Sequence, residues 1–174
     1  LGKLGLSNNY SLNGITITAY GFIKLPKNDI QTNLYANNTF SNMNGLGMTI
    51  DVNHKINKST YIQLDLSGIN HKLVDGSLPN ITIKDIQDKG GFSLYGSNTL
   101  GSQGILLYSS KDNPSTQTIS IPKDYNYISV TAFGNSDTSS VILHSIEYVI
   151  CKEYLYNRKP NIPSNPIPNT IPNN

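Results

Sequence analysis

The chain has no tryptophan, one cysteine and two methionines among 174 residues, and only 14 % of it is charged. Each shortage excludes something. A single thiol, Cys151, cannot form an internal disulfide; it suits a small part-buried side chain or a bridge to a second molecule. Arg158 is the one arginine, and 13 basic residues are spread among 11 acidic ones for a net charge of +2. No basic stripe forms that could follow a phosphate backbone, so a nucleic-acid partner is not expected. No run approaches the ~18 apolar residues of a membrane-spanning helix, so no transmembrane segment is expected either.

Helix formers are also scarce where they would matter. Polarity comes mainly from Asn, Ser and Thr, which compete with a helix backbone for hydrogen bonds, while Thr, Tyr, Ile and Val suit a pleated surface. The apolar residues accordingly repeat every second position. In Gly14 to Lys24, Ile15, Ile17, Ala19 and Ile23 alternate with Thr16, Thr18, Tyr20 and Phe22, and Gly21 offers a place for a bulge. Thr60 to Leu66 sends Ile62, Leu64 and Leu66 one way; Tyr127 to Phe133 does the same with Ile128, Val130 and Ala132. Gly45 to Val52, Ile81 to Ile86, Phe92 to Tyr95, Ile105 to Leu107, Ile119 to Ile121 and Val141 to Ile150 add further strands. Residues 31–44 read as a long loop or a weak edge strand, and Gly96 to Gly104 as a small-residue corner.

About nine or ten strands at this spacing predict an all-β protein, a two-sheet antiparallel jelly-roll β-sandwich. Its expected parts are an extended N-terminal arm (1–13), the sandwich (14–156) and a Pro/Asn-rich C-terminal tail (157–174), whose prolines favour extended polyproline geometry. The opening at Leu1 rather than Met suggests a processed or trimmed form, and removal of a secretory leader or a trimmed boundary explains it equally well. Sequons at Asn9, Asn37, Asn57 and Asn80 could carry glycans in a secretory pathway.

Reactive constellations are thin. Asp51, Asp65 and Asp85, with His54, His71 and His144, show no spacing that singles out a base and a nucleophile, so no enzyme is expected and no cofactor is required. Calcium is the candidate metal, with Asp51, Asn53, Asp137 and Glu147 as oxygen donors. Asp51 and Asn53 share one side of an extended segment. Glycan binding would draw on the 11 tyrosines as stacking platforms, with Tyr35 and Tyr95 foremost and Tyr20, Tyr61, Tyr108 and Tyr125 behind them. The same positions equally suit half-buried sheet residues.

The runs LYGSNTLGSQGILL (94–107), GLGMTIDVNHKI (45–56), YIQLDLS (61–67) and YISVTAF followed by VILHSIE together resemble the globular domain of PEP-CTERM sorted bacterial envelope proteins. The resemblance covers roughly Gly14 to Val149 and implies a galactose-binding-like jelly roll displayed outside the cell. Such domains often carry an acidic residue where Lys55 stands in this chain, and a lysine there would repel a cation. The composite expectation is a secreted or extracellular-surface structural or adhesive module. It would self-assemble as a homo-oligomer through strand addition or its terminal arms, into a fibre, appendage or coat. A carbohydrate-binding module, with or without calcium, is the alternative.

Overall fold

The computed structural model describes residues 2–37, 44–84, 86, 90–110, 115–134 and 138–151. Asp85, Asp137 and the Pro/Asn-rich tail lie outside the described residues. Thirteen strands are present among those described: β1 (Lys3–Gly5), β2 (Ser7–Leu12), β3 (Ile15–Ile23), β4 (Ile30–Thr32), β5 (Leu34–Asn37), β6 (Gly45–Met48), β7 (Thr60–Asp65), β8 (Asn80–Lys84), β9 (Gly91–Ser97), β10 (Ile105–Ser109), β11 (Thr116–Ser120), β12 (Tyr127–Phe133) and β13 (Ile142–Glu147). A 3-10 turn at Val52–His54 and a single helical turn, α1 (Ser67–Asn70), complete the described elements.

Two antiparallel sheets face each other. Sheet A runs β1-β5-β6-β13-β8-β11, and sheet B runs β10-β9-β12-β7-β3-β2, with β4 also paired to β3. From β6 to β13 every connection except the β9–β10 hairpin crosses from one sheet to the other. The resulting orders, β6-β13-β8-β11 and β10-β9-β12-β7, are those of an eight-stranded jelly roll. The strands before β6 extend both sheets on one side.

The alternation read from the sequence is what builds the core. Ile62, Leu64 and Leu66 are buried on β7 and just after it, facing inward with Ile128, Val130 and Ala132 of β12 and Ile15, Ile17 and Ala19 of β3. Sheet A answers with Leu46, Met48, Ile81, Ile83 and Leu143. Period two puts each set on one face, and burial of that face fixes the register, because a one-residue slip would turn it to water.

Several local expectations change. Residues 3–12 are extended but do not hang free: β1 pairs with β5, and β2 pairs along its whole length with β3. The β2–β3 link is Asn13-Gly14, with φ of 51° and 75°, the left-handed pair of a type I′ hairpin turn. Gly21 is not a bulge. The β3–β7 ladder runs unbroken through Gly21↔Ile62, and the absent Cβ makes room for the Thr32 carbonyl of β4 and the Met48 side chain. Within residues 31–44, read as a long loop or a weak edge strand, β4 and β5 take up residues 31–32 and 34–37. Cys151 is an unpaired, part-buried thiol whose Sγ points to the Leu73 carbonyl at 3.7 Å.

Candidate binding surfaces

The outward face of sheet B collects polar and aromatic side chains in rows set by the register. One row runs Tyr20↔Gln63↔Ser129↔Tyr95 across β3, β7, β12 and β9. The next runs Asn9↔Thr18↔Asp65↔Tyr127↔Ser97. Alternation sends both rows to the same side, since their members are two residues apart on each strand.

A loop, residues 98–103, roofs the middle of this face. Gln63 is fully buried beneath it: its Nε2 donates to the Ser102 carbonyl (2.9 Å) and to Ser129 Oγ (3.1 Å), and its Oε1 accepts from the Gly101 N–H (2.8 Å). Tyr61, also fully buried, donates its hydroxyl to Asp29 Oδ2 at 2.8 Å and lies 3.1 Å from the Gly101 carbonyl. Burial, then the Asp29 carboxylate beside it, pushes the Tyr61 phenol far above its ordinary range. At the end of the same face, Lys24 Nζ donates to the Lys58 carbonyl and to Thr131 Oγ1, each at 2.7 Å. Desolvation lowers its pKa to about 8, against the opposing pull of Asp29. Gln63, Tyr61 and Lys24 each have protein partners, and the first two tie the loop to the sheet; in the same loop Gln103 Nε2 is buried without a hydrogen-bond partner.

Beyond the roof, Tyr20, Asp65 and Tyr127 form a patch. Desolvation raises the Tyr127 phenol, and the neighbouring Asp65 carboxylate and Tyr20 raise it further, which places the three within electrostatic reach of one another. Thr18 Oγ1 donates to Asn9 Oδ1 at 2.8 Å beside them, and Asp65 Oδ1 accepts from the Ser67 backbone (3.0 Å) and hydroxyl (2.6 Å). Two aromatic rings flanking a carboxylate and an amide can stack on and hydrogen-bond to a sugar ring. Asp65 and Tyr127 were not among the expected glycan contacts. Alternation gives the side each residue faces, but only the β3-β7-β12 strand order brings them together.

The tyrosines expected foremost are not neighbours. Tyr95 flanks the roofed row in sheet B, whereas Tyr35 belongs to β5 of sheet A and stacks on the His54 ring, centroids 3.9 Å apart. The calcium donors are likewise distributed. Asp51 is buried, and its carboxylate is taken up within its own turn: Oδ1 accepts from Asn57 Nδ2 (2.7 Å), and Oδ2 accepts from the Asn57 N–H (3.2 Å) and Thr60 Oγ1 (2.5 Å). Burial raises the Asp51 pKa, while these hydrogen bonds oppose the rise. Asn53 is exposed in the left-handed region with φ 59°, and Lys55, close by in the chain, is buried. The Ile56↔Val141 bridge sets this turn beside the start of β13, and Glu147 ends that strand. Six residues of strand separate the two, roughly 20 Å. Asp137 lies outside the described residues. Among the described residues no three His, Cys, Asp or Glu side chains gather as a metal site.

Each edge strand of sheet B is uncharged, with β2, exposing Tyr10 and Leu12, at one side of the sheet and β10 at the other. β10 is its terminal strand, ILLYS in sequence, paired only to β9 among the described residues. Ile105 and Leu106 are 58 % and 56 % exposed, and the strand carries no charge. The opposite edge of sheet A, β11 (TQTIS), is polar. No helix among the described residues is long and apolar enough to cross a membrane. No protein-family model matches the chain, and no curated protein matches it significantly.

Proposed function

We propose that this chain is a non-catalytic, extracellular β-sandwich module that associates with further copies of itself through the β10 edge of sheet B, as the subunit of a fibre, appendage or coat. The supporting observation is β10, an uncharged edge with two large aliphatic side chains exposed. Soluble proteins ordinarily protect such an edge with lysine, proline or a covering segment, because its unpaired N–H and C=O groups offer a ladder to any extended strand. Addition of a strand would satisfy those groups and bury Ile105 and Leu106 together.

The full-length chain should therefore sediment as species larger than a monomer at high protein concentration and show ordered polymers by negative-stain microscopy. Leu106→Lys should shift it to monomer with an unchanged melting temperature, because the substituted side chain is exposed. A wild-type chain that stays monomeric and disperses as single particles would reject the proposal.

A second reading, glycan binding, rests on the Tyr20–Asp65–Tyr127 patch. On a glycan array, Tyr127→Ala should abolish any specific signal, while Tyr35→Ala, in the other sheet, should leave it intact. Equal loss from both variants, or a signal untouched by Tyr127→Ala, counts against the patch.

A further inference from the structure

Between the sheets, on the side where β2 and β5 extend them, lies a cleft of about 380 Å³. Its walls come from both layers: Ile17 and Leu64 of sheet B face Ala36, Leu46, Leu143 and Ile146 of sheet A. Ala36, a small residue, leaves space where a larger neighbour would close the sandwich, whereas Gly45 packs directly against the Leu143 carbonyl and Ile142 of the adjoining strand. Polar groups stand among the lining as well, from Tyr10, Asn37 and His144. Two of these are fixed in place. Asn37 Nδ2 donates to the His54 carbonyl at 2.6 Å, and His144 Nδ1 sits 2.6 Å from the Asn44 carbonyl. Tyr10 is 42 % exposed; burial raises its phenol pKa, and a side-chain hydrogen bond with Asn8 opposes the rise.

We infer that this cleft binds one small uncharged molecule with an apolar body and a single hydrogen-bonding end. Three observations carry the inference. The volume falls within the ~300–1,000 Å³ range of small-molecule sites, and aliphatic walls with a few fixed polar groups are the ordinary makeup of such a site. The walls disfavour water as the filling, because an ordered water needs two to four polar partners. Among the described residues no Asp, Glu, Lys or Arg lines the cleft, so a carboxylate or phosphate entering it would be desolvated without a counter-charge from them. A hydroxyl, amide or ketone meets no such penalty and finds Tyr10, Asn37 or His144 as a partner. Because two of those groups are already held, little freedom is lost on binding.

The test uses N-phenyl-1-naphthylamine, an uncharged dye that brightens in apolar surroundings, with the full-length chain. Saturable enhancement at one site per chain is expected, with competition by 1-octanol and none by octanoate at pH 8. Ala36→Leu, which fills the cleft from its wall, should weaken dye binding about tenfold or more, with the melting temperature little changed. Tyr10→Phe, at a part-exposed edge position, should leave dye binding intact and weaken octanol competition several-fold. The inference is overturned by unsaturable dye binding, by an Ala36→Leu variant that binds as wild type, or by octanoate competing as well as octanol.

Discussion

Gly104→Ala should lower stability by about 3 kcal/mol or more, and the melting temperature by roughly 6–12 °C, on the scale of a domain this size. The residue sits at φ 85°, a conformation that costs an L-residue about 1–2 kcal/mol. In addition, a Cβ there would overlap the Gly96 carbonyl and press on Ser97, both on β9, the strand against which β10 begins to pair. Neither is the flexible end of a side chain, so the hairpin itself must shift. Gly76→Ala is the matched control: φ is 76°, and nothing lies within 4 Å of the added carbon. It should lose only the conformational part. Thermal unfolding of both variants separates the two effects, and equal losses would show that the β9–β10 contact tolerates the methyl group. Gly104→Ala should also impair assembly, since it deforms the edge proposed to join copies.

What the sequence encodes plainly is the inner face. Ile62, Leu64 and Leu66, or Ile128, Val130 and Ala132, can be assigned to the core from alternation alone, because period two and burial on one face are the same fact stated twice. The outer face of sheet B is not encoded in that way. Gln63 and Ser129 stand at positions that alternation sends to water, and both are fully buried. They are covered by a loop almost forty residues from Gln63 in sequence, tied down by the Gln63 amide and the Tyr61 hydroxyl. Such cover depends on where a Gly-rich turn folds back, which no local pattern records.

The N-terminal hairpin is a different case. Asn13-Gly14 is the strongest short-range signal for a two-residue hairpin, and reading the first 13 residues as an extended arm set composition above turn chemistry. Ser7–Leu12 carries few apolar residues because it is an edge strand, and an edge needs a ladder partner more than an inner face. The Tyr20–Asp65–Tyr127 patch required one further step, the order of β3, β7 and β12, since strands far apart in sequence become neighbours only through the jelly-roll crossovers.

Stability should pass through a maximum in the alkaline range, rising from about pH 8 and falling above about pH 10, with the two limbs assigned to two residues on the outward face of sheet B, Lys24 at its end and Tyr61 under the roofing loop. Lys24 has its folded pKa lowered to about 8 from 10.5, so between those values the unfolded chain binds more protons and stability rises with pH. Tyr61 has its folded pKa raised. Above pH 10 the unfolded chain releases a proton that the folded chain retains, and stability falls as pH climbs. Tyr10, Tyr127 and Tyr148 are shifted the same way and steepen the fall.

Lys24→Met should flatten the rising limb while leaving the Lys58 carbonyl and Thr131 without their donor. Tyr61→Phe should make the falling limb shallower and lower stability at neutral pH by about 1–3 kcal/mol, because the Asp29 carboxylate and the Gly101 carbonyl lose a buried hydroxyl. The measurement is melting temperature against pH from 7 to 11 for the three proteins. If both variants keep the wild-type profile, the titrating groups lie elsewhere and the tie between loop and sheet does not depend on the Tyr61 hydroxyl.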